Sequence, residues 1–312
     1  MRQIPANIVR GFLMGAADIV PGVSGGTIAL VLGIYRRLVA SIRAGSSALG
    51  SLLTLKWDRA RHWLAEVEWA LLLPLFAGIL LAVISLAGVL EHQLETNPIQ
   101  MSALFLGLVA GSAVVAWGLL HRKDATRLTI MLVTTIVVFA GLGLRGGVTE
   151  DAVAQVSEPA ALAFFAAGAL AICAMILPGI SGSFILVLLG MYTPLLAAVN
   201  DRDVTTLIVF TIGAAVGLGV FSQILHWALE RHHDTVMAML IGLMAGSLRV
   251  LWPWPNGVES TRLGAPDEAV LVSVVLAVAA LAVVLAISAV AERRSAPMPP
   301  AESATPTSAQ AN

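Results

Sequence analysis

Residues 11–35 read GFLMGAADIVPGVSGGTIALVLGIY, and residues 168–192 read GALAICAMILPGISGSFILVLLGMY. The two stretches align without a gap at an offset of 157. Identical pairs include Gly11/Gly168, Ile19/Ile176, Pro21/Pro178, Gly22/Gly179, Ser24/Ser181, Gly25/Gly182, Gly33/Gly190 and Tyr35/Tyr192. Each stretch is an apolar run broken in its middle by Pro-Gly-x-Ser-Gly. Proline removes a backbone donor and glycine opens left-handed conformations, so a continuous helix is not expected through either break. The pieces on either side are about 10–17 residues long, the length of re-entrant segments and too short to span a bilayer. A second match follows downstream. GLVAGSAVVAW (107–117) aligns with GLMAGSLRVLW (242–252) at an offset of 135.

The surroundings of these stretches fix the class of protein. The chain has 312 residues, 58% hydrophobic and 12% charged, with mean hydropathy +0.89. A soluble domain carries roughly 25% charged residues, and half that number cannot cover a soluble surface of this size. A soluble enzyme and a disordered chain are excluded. The net charge of −1 gives no reason to attract nucleic acid. The lone Cys173 rules out an internal disulfide framework or a thiolate metal cluster.

Six uninterrupted apolar segments read as spans: 69–90, 99–120, 128–144, 204–229, 236–253 and 269–291. The expected fold is therefore an all-α polytopic membrane protein built as an inverted repeat. Each half is one re-entrant helical hairpin followed by three transmembrane helices, and an odd number of spans turns the second half upside down. Repeat one covers 8–144 with its hairpin at 8–40. Repeat two covers 160–291 with its hairpin at 160–199. Together they make one membrane domain over 1–294, and 295–312, rich in Pro, Ala, Ser and Thr, is expected to be a disordered cytoplasmic tail. Asp18 and the Pro21-Gly22 break interrupt the first apolar run, so it does not read as a cleavable signal peptide.

Positive charges orient this arrangement. With the N-terminus in the cytoplasm and both hairpins re-entrant, only Arg145, Arg202 and Arg262 of the 18 Lys and Arg fall outside. Arg249 lies within a span and the other 14 face the cytoplasm, as the positive-inside rule asks. Both termini are then expected in the cytoplasm. Trp69, Trp117, Trp227, Trp252 and Trp254 fall near span ends, where an aromatic belt is expected. The connector 51–66, with Trp57 and Trp63 among basic residues, suggests a helix lying on the inner surface.

Irregular backbone at membrane depth is tolerated where it is packed in protein or lines a wet cavity. Each break starts a new helix, near Ser24 and near Ser181. Helix starts offer free N–H groups and partial positive charge, so two facing breaks compose an anion site. The expected anion-binding set is Gly22, Ser24, Gly25, Gly26 and Thr27 from the first break, Gly179, Ser181, Gly182 and Ser183 from the second, and Arg249. Asp18, three residues before Pro21, either takes up a proton or cation or caps the turn amides. Arg249 either meets an anionic head group or snorkels to the outer interface. Gln223 is a weaker polar candidate. The Gly107/Gly111, Gly213/Gly217 and Gly242/Gly246 pairs read as close helix-packing faces.

Other motifs mislead. Gly22-Val23-Ser24-Gly25-Gly26 matches the G-x-S-x-G elbow, and its core is similar to that of the rhomboid intramembrane proteases. His226 is the only histidine inside an apolar span, however, and the second copy, GISG, argues against a single nucleophile. Gly141-x-Gly143-x-x-Gly146 matches a dinucleotide fingerprint but follows no strand. His232-His233-Asp234 has no metal-ligand spacing and reads as a solvated loop.

DIVPGVSGGT (18–27) paired with LPGISGS (177–183) resembles the DUF368 family of bacterial membrane proteins, over roughly residues 7–292. The resemblance implies a polyprenyl-phosphate translocase that returns undecaprenyl phosphate to the cytoplasmic leaflet for cell-wall synthesis. It also implies hairpins like those of the DedA proteins. It implies a transporter without cofactor or metal, whose partners are the lipid and the bilayer. An inside-negative potential opposes inward movement of an anion by about 2.3 kcal/mol per charge per 100 mV, so H⁺ or Na⁺ is expected to travel with it, with Asp18 as the coupling residue. A transporter of a small soluble anion and an intramembrane serine hydrolase stand as alternatives. A homo-oligomer is compatible with all three.

Overall fold

A computed structural model describes residues 3–19, 24–143, 159–257 and 263–295. All regular structure among them is helical. In chain order the helices are α1 (Gln3–Asp18), α2 (Gly25–Val31), α3 (Tyr35–Leu53), α4 (Trp57–Glu66), α5 (Trp69–Thr96), α6 (Pro98–Gly118), α7 (Ala125–Gly143), α8 (Ala161–Ile176), α9 (Gly182–Leu188), α10 (Tyr192–Asn200), α11 (Val204–Arg231), α12 (His233–Ser247) and α13 (Val270–Ser295). Five of them, α5, α6, α7, α11 and α13, are long and apolar enough to cross a membrane. Apart from α6, which is half buried, their apolar side chains are largely exposed, Phe76 at 59% and Ile84 at 83% among them. So much apolar surface is stable only in lipid. The protein is an all-α polytopic membrane protein.

The duplication seen in the sequence is also a duplication of backbone conformation. α2 and α9 each have seven residues, and α5 and α11 each have 28. Gly33 and Gly190 turn equivalent corners at φ +68° and +67°, where a side chain would be strained. Ile34 and Met191 follow with the same φ of −103° and ψ of −3°. Asn97 (φ −135°, ψ 52°) and His232 (φ −133°, ψ 43°) make matching joints after the 28-residue helices.

Small residues set the packing. Gly11 and Gly15 of α1 lie against Leu75 and Ile79 of α5, and Asn7 Nδ2 donates to the Ala70 carbonyl at 2.9 Å, so the two helices run in the same direction. α8 and α11 pair likewise, with Gly213 on Phe165 and Gly217 on Ala169. Gly107 and Gly111 seat α6 on Ala277 and Leu281 of α13, and Gly242 and Gly246 seat α12 on Met131 and Val138 of α7. Every glycine pair read as a packing face is one. A backbone-to-backbone approach of this kind replaces hydrophobic driving force, which lipid does not supply.

The structure corrects several expectations. The segment 236–253 is not a continuous span. α12 ends at Ser247 after 15 residues, about 22 Å, and turns follow through Leu251. Its sides are buried nearly all round, Met237, Ala238, Leu240, Ile241 and Met244 included. A helix wrapped in protein need not match the thickness of lipid. Each hairpin has three helical pieces, because Gly33 and Gly190 add a second corner. The first hairpin does not end at 40, since α3 continues to Leu53 and packs across the repeat boundary on α11. The connector forms α4, which buries only Ala60, exposes Trp57 and stacks Trp63 under Arg43. Trp254 is buried rather than part of a belt; Trp252 and Trp254 donate to the carbonyls of Gly264 and Glu268 and hold the α12–α13 connector. The tail expected at 295–312 lies, beyond Ser295, outside the described residues.

Candidate functional site

The two breaks meet. α8 ends at Ile176 with carbonyls that have no partner within their own helix, as every helix end does. The first break supplies the donors. Ser24 Oγ donates to the Met175 carbonyl at 3.0 Å, and Tyr35 Oη donates to the Ile176 carbonyl at 3.1 Å. In return the Gly179 amide donates to Thr27 Oγ1 at 3.1 Å. Ser24 and Thr27 are each only 1% exposed. At Gly26 a Cβ would stand 2.6 Å from the Ile176 carbonyl oxygen, so only glycine permits this approach. Gly179 has φ +88° and fits against Met244 and Ser247 of α12.

The two helix starts are unlike. At α2, Asp18 Oδ1 accepts from the Gly25 amide at 2.5 Å and Ser24 Oγ accepts from the Gly26 amide at 3.1 Å. Asp18 thus accepts from one turn amide, that of Gly25. At α9 the Ser181 hydroxyl turns instead to Ser183 Oγ at 2.7 Å, and among the described residues no side-chain cap bond forms at this N-terminus. Asp18, Ser181, Gly182 and Ser183 line one cavity of about 230 Å³, closed by Met175, Leu186 and Phe210. The expected anion set therefore divides. Ser181, Gly182 and Ser183 face the cavity. Ser24, Gly25, Gly26 and Thr27 are buried in the junction and hold it together. Gly22 lies outside the described residues.

Arg249 is elsewhere. It lies in the turn after α12, its guanidinium 4.7 Å over the Phe139 ring and against Gly143 of α7. Its Nε is buried without a hydrogen-bond partner among the described residues. Gln223 is exposed and donates to the Gly219 carbonyl of its own helix. His226 pairs with Glu230 at 3.2 Å, and the partners of Ser24 Oγ are backbone groups. Among the described residues the elbow-like motif thus has no adjacent base of the kind a serine nucleophile requires.

A family profile described as undecaprenyl phosphate translocase-like matches residues 14–266. The chain belongs to this family. The match takes in both breaks, the junction and Arg249. A polyprenyl-phosphate transporter of Vibrio cholerae serotype O1 is 39% identical over 262 residues, covering 84% of this chain and 82% of the relative. A polyprenyl-phosphate transporter of Staphylococcus aureus is 31% identical over 257 residues, covering 79% and 86%. No solved structure matches the chain. Both relatives are named as transporters, and the family bears a translocase name, so membership places the chain among transporters rather than hydrolases.

Some groups escaped the sequence. Tyr35 was visible only as half of a repeated Tyr pair, although its hydroxyl is one of the junction's bonds. The stretch 232–234 is not a solvated loop. His233 and Asp234 open α12, and Asp234 Oδ1 meets His233 Nδ1 at 3.2 Å and His121 Nδ1 at 3.4 Å. His121 comes from the α6–α7 connection, 113 positions away, and its amide also donates to Asp234 at 3.1 Å. Desolvation works to raise the Asp234 pKa, but the His121 amide and the two imidazoles outweigh it and hold the carboxyl below its usual range. No spacing rule finds a group assembled from two such distant segments.

Proposed function

We propose that this protein moves polyprenyl phosphate, of the undecaprenyl phosphate class, from the outer to the inner leaflet of the bacterial cytoplasmic membrane, returning the carrier for reuse. The relatives' names supply the substrate class. One observation carries the route: the two breaks are bonded to each other beside a cavity lined by Asp18 and the uncapped start of α9.

Helix direction supports an inverted repeat. α6 runs with α13 and α7 runs with α12. Under the repeat α6 corresponds to α12, and α7 to α13. Successive spans alternate in direction, so corresponding helices point opposite ways. α1 also starts on the side where α5 starts, as a hairpin that leaves where it entered requires. With the arginine count, this supports a cytoplasmic position for both termini.

The head group then passes through the 230 Å³ cavity while the prenyl tail stays in lipid. Ser181 and Ser183 offer hydroxyls, and α9 offers its first amides. The Asp18 carboxylate faces the same space, and two anions in a low-dielectric cavity repel strongly. A proton or Na⁺ at Asp18 removes that repulsion, and coupling to inward cation movement follows from it. Arg249 attracts the head group on the outer side.

The test is reconstitution with labelled undecaprenyl phosphate and a leaflet-selective quencher. Transfer to the other leaflet, faster with an inward cation gradient, is the expected result. Uptake of inorganic phosphate without lipid transfer would replace this reading with a soluble-anion transporter.

A further inference from the structure

A second cavity, of about 320 Å³, opens at the α2–α3 corner. It is distinct from the junction cavity and shares no lining residue with it. Its polar groups are Arg36, His121, His233 and Tyr35, and its apolar wall includes Leu30, Leu119, Leu229 and Met237. Arg37, the next residue, is engaged by Glu68. Arg36 pairs with no carboxylate among the described residues, and it is exposed. The two imidazoles are held in place from behind. Both have Nδ1 within 3.4 Å of Asp234 Oδ1, and both line the cavity while Asp234 does not. Their ring centroids are 5.0 Å apart.

This is a cationic cleft with an apolar side. A guanidinium presents a planar fork that matches phosphate oxygens, and it forms charge-assisted bonds with them. Two oriented imidazoles add N–H donors or positive charge. His121, His233 and Asp234 have ligand atoms within 4.8 Å of one another, but a divalent cation held there would share the cleft with the Arg36 guanidinium and be repelled by it. We infer that this cavity is a second binding site for a phosphomonoester dianion, read by Arg36, His121 and His233, with the apolar wall taking the first carbons of an attached chain. Asp234 is a positioning residue.

The inference rests on the transport reading above: on the proposed orientation the cavity lies on the cytoplasmic side, where a phosphate head leaves the junction. Tyr35 ties the two regions together, lining the cavity while its hydroxyl bonds the second break.

The test uses the full chain carrying Cys173→Ala and Leu119→Cys, with maleimide labelling of the introduced thiol as readout. Farnesyl phosphate is expected to slow labelling and farnesol is not. The half-protecting concentration should rise at least about tenfold with Arg36→Ala and with His121→Gln/His233→Gln. Arg36→Lys should recover part of that loss, which a merely misfolded variant would not show. Stronger protection by farnesyl phosphate than by inorganic phosphate assigns the site to a lipid head, and equal protection assigns it to free phosphate. No protection, equal protection by farnesol, unchanged behaviour of Arg36→Ala, or loss of protection on adding EDTA would each overturn the inference. Vesicle transport by the parent protein separates the two readings. Lipid transfer without protection removes the second site alone, and protection without lipid transfer removes the transport reading alone.

Discussion

The Ser24 hydroxyl donates to the carbonyl of Met175, 151 positions along the chain, at 3.0 Å. One short side chain thereby joins the breaks of the two repeats. The same oxygen accepts from the Gly26 amide, so Ser24 also caps α2. A conspicuous motif serine is a rivet between halves.

Ser24→Ala leaves the Met175 carbonyl and the buried Gly26 amide without this partner. A loss of about 1–3 kcal/mol is expected, seen as a lower unfolding temperature in detergent. Lipid transfer should fall but persist. Complete loss of function with unchanged stability would instead point to a chemical role for the hydroxyl.

Gly26→Ala places a methyl group 2.6 Å from the Ile176 carbonyl oxygen and forces the breaks apart. Transport should be lost and the unfolding temperature should drop. Gly45→Ala in α3 is the control. Nothing lies within 4 Å of the new methyl group, and a helix-interior glycine replaced by alanine is expected to gain roughly 0.5–1 kcal/mol. Equal behaviour of the two variants in thermal unfolding would contradict the close approach at Gly26.

Asp18→Asn keeps an oxygen for the Gly25 amide and removes the charge from the cavity. The variant should fold normally and exchange labelled lipid between leaflets, yet fail to respond to an imposed H⁺ or Na⁺ gradient. If transport kept its full gradient response, Asp18 would be a cap and nothing more.

The Arg37–Glu68 pair ties α3 to the start of α5. The hydrogen bond from Arg37 holds Glu68 below the usual carboxylate range. Its contribution is therefore full above the unfolded carboxylate pKa, about 4.3, and fades as pH falls through the lower folded value. Both groups are more than 40% exposed, so no more than about 1 kcal/mol is expected. Stability of Glu68→Gln and of the parent protein, measured at pH 7 and at pH 3, should differ more at pH 7.

Sequence alone determined the membrane class, the duplication and the two breaks. The reason is local and compositional: lipid demands long apolar runs, Pro-Gly-x-Ser-Gly ends a helix wherever it occurs, and a repeated motif at constant offset implies a repeated backbone. The glycine pairs could be read because backbone contact between membrane helices demands small residues at helical spacing. Tertiary structure alone decided what those parts do to one another. It buried Ser24 and Thr27 as the bonds of the junction while leaving Ser181 and Ser183 facing a cavity, a difference that identical turn motifs cannot announce. It shortened the fifth apolar run into α12, because a helix sheathed by protein is free of the length that lipid imposes. It also brought His121 to Asp234 and His233, since side-chain chemistry depends on distance in space and the chain records only distance along itself.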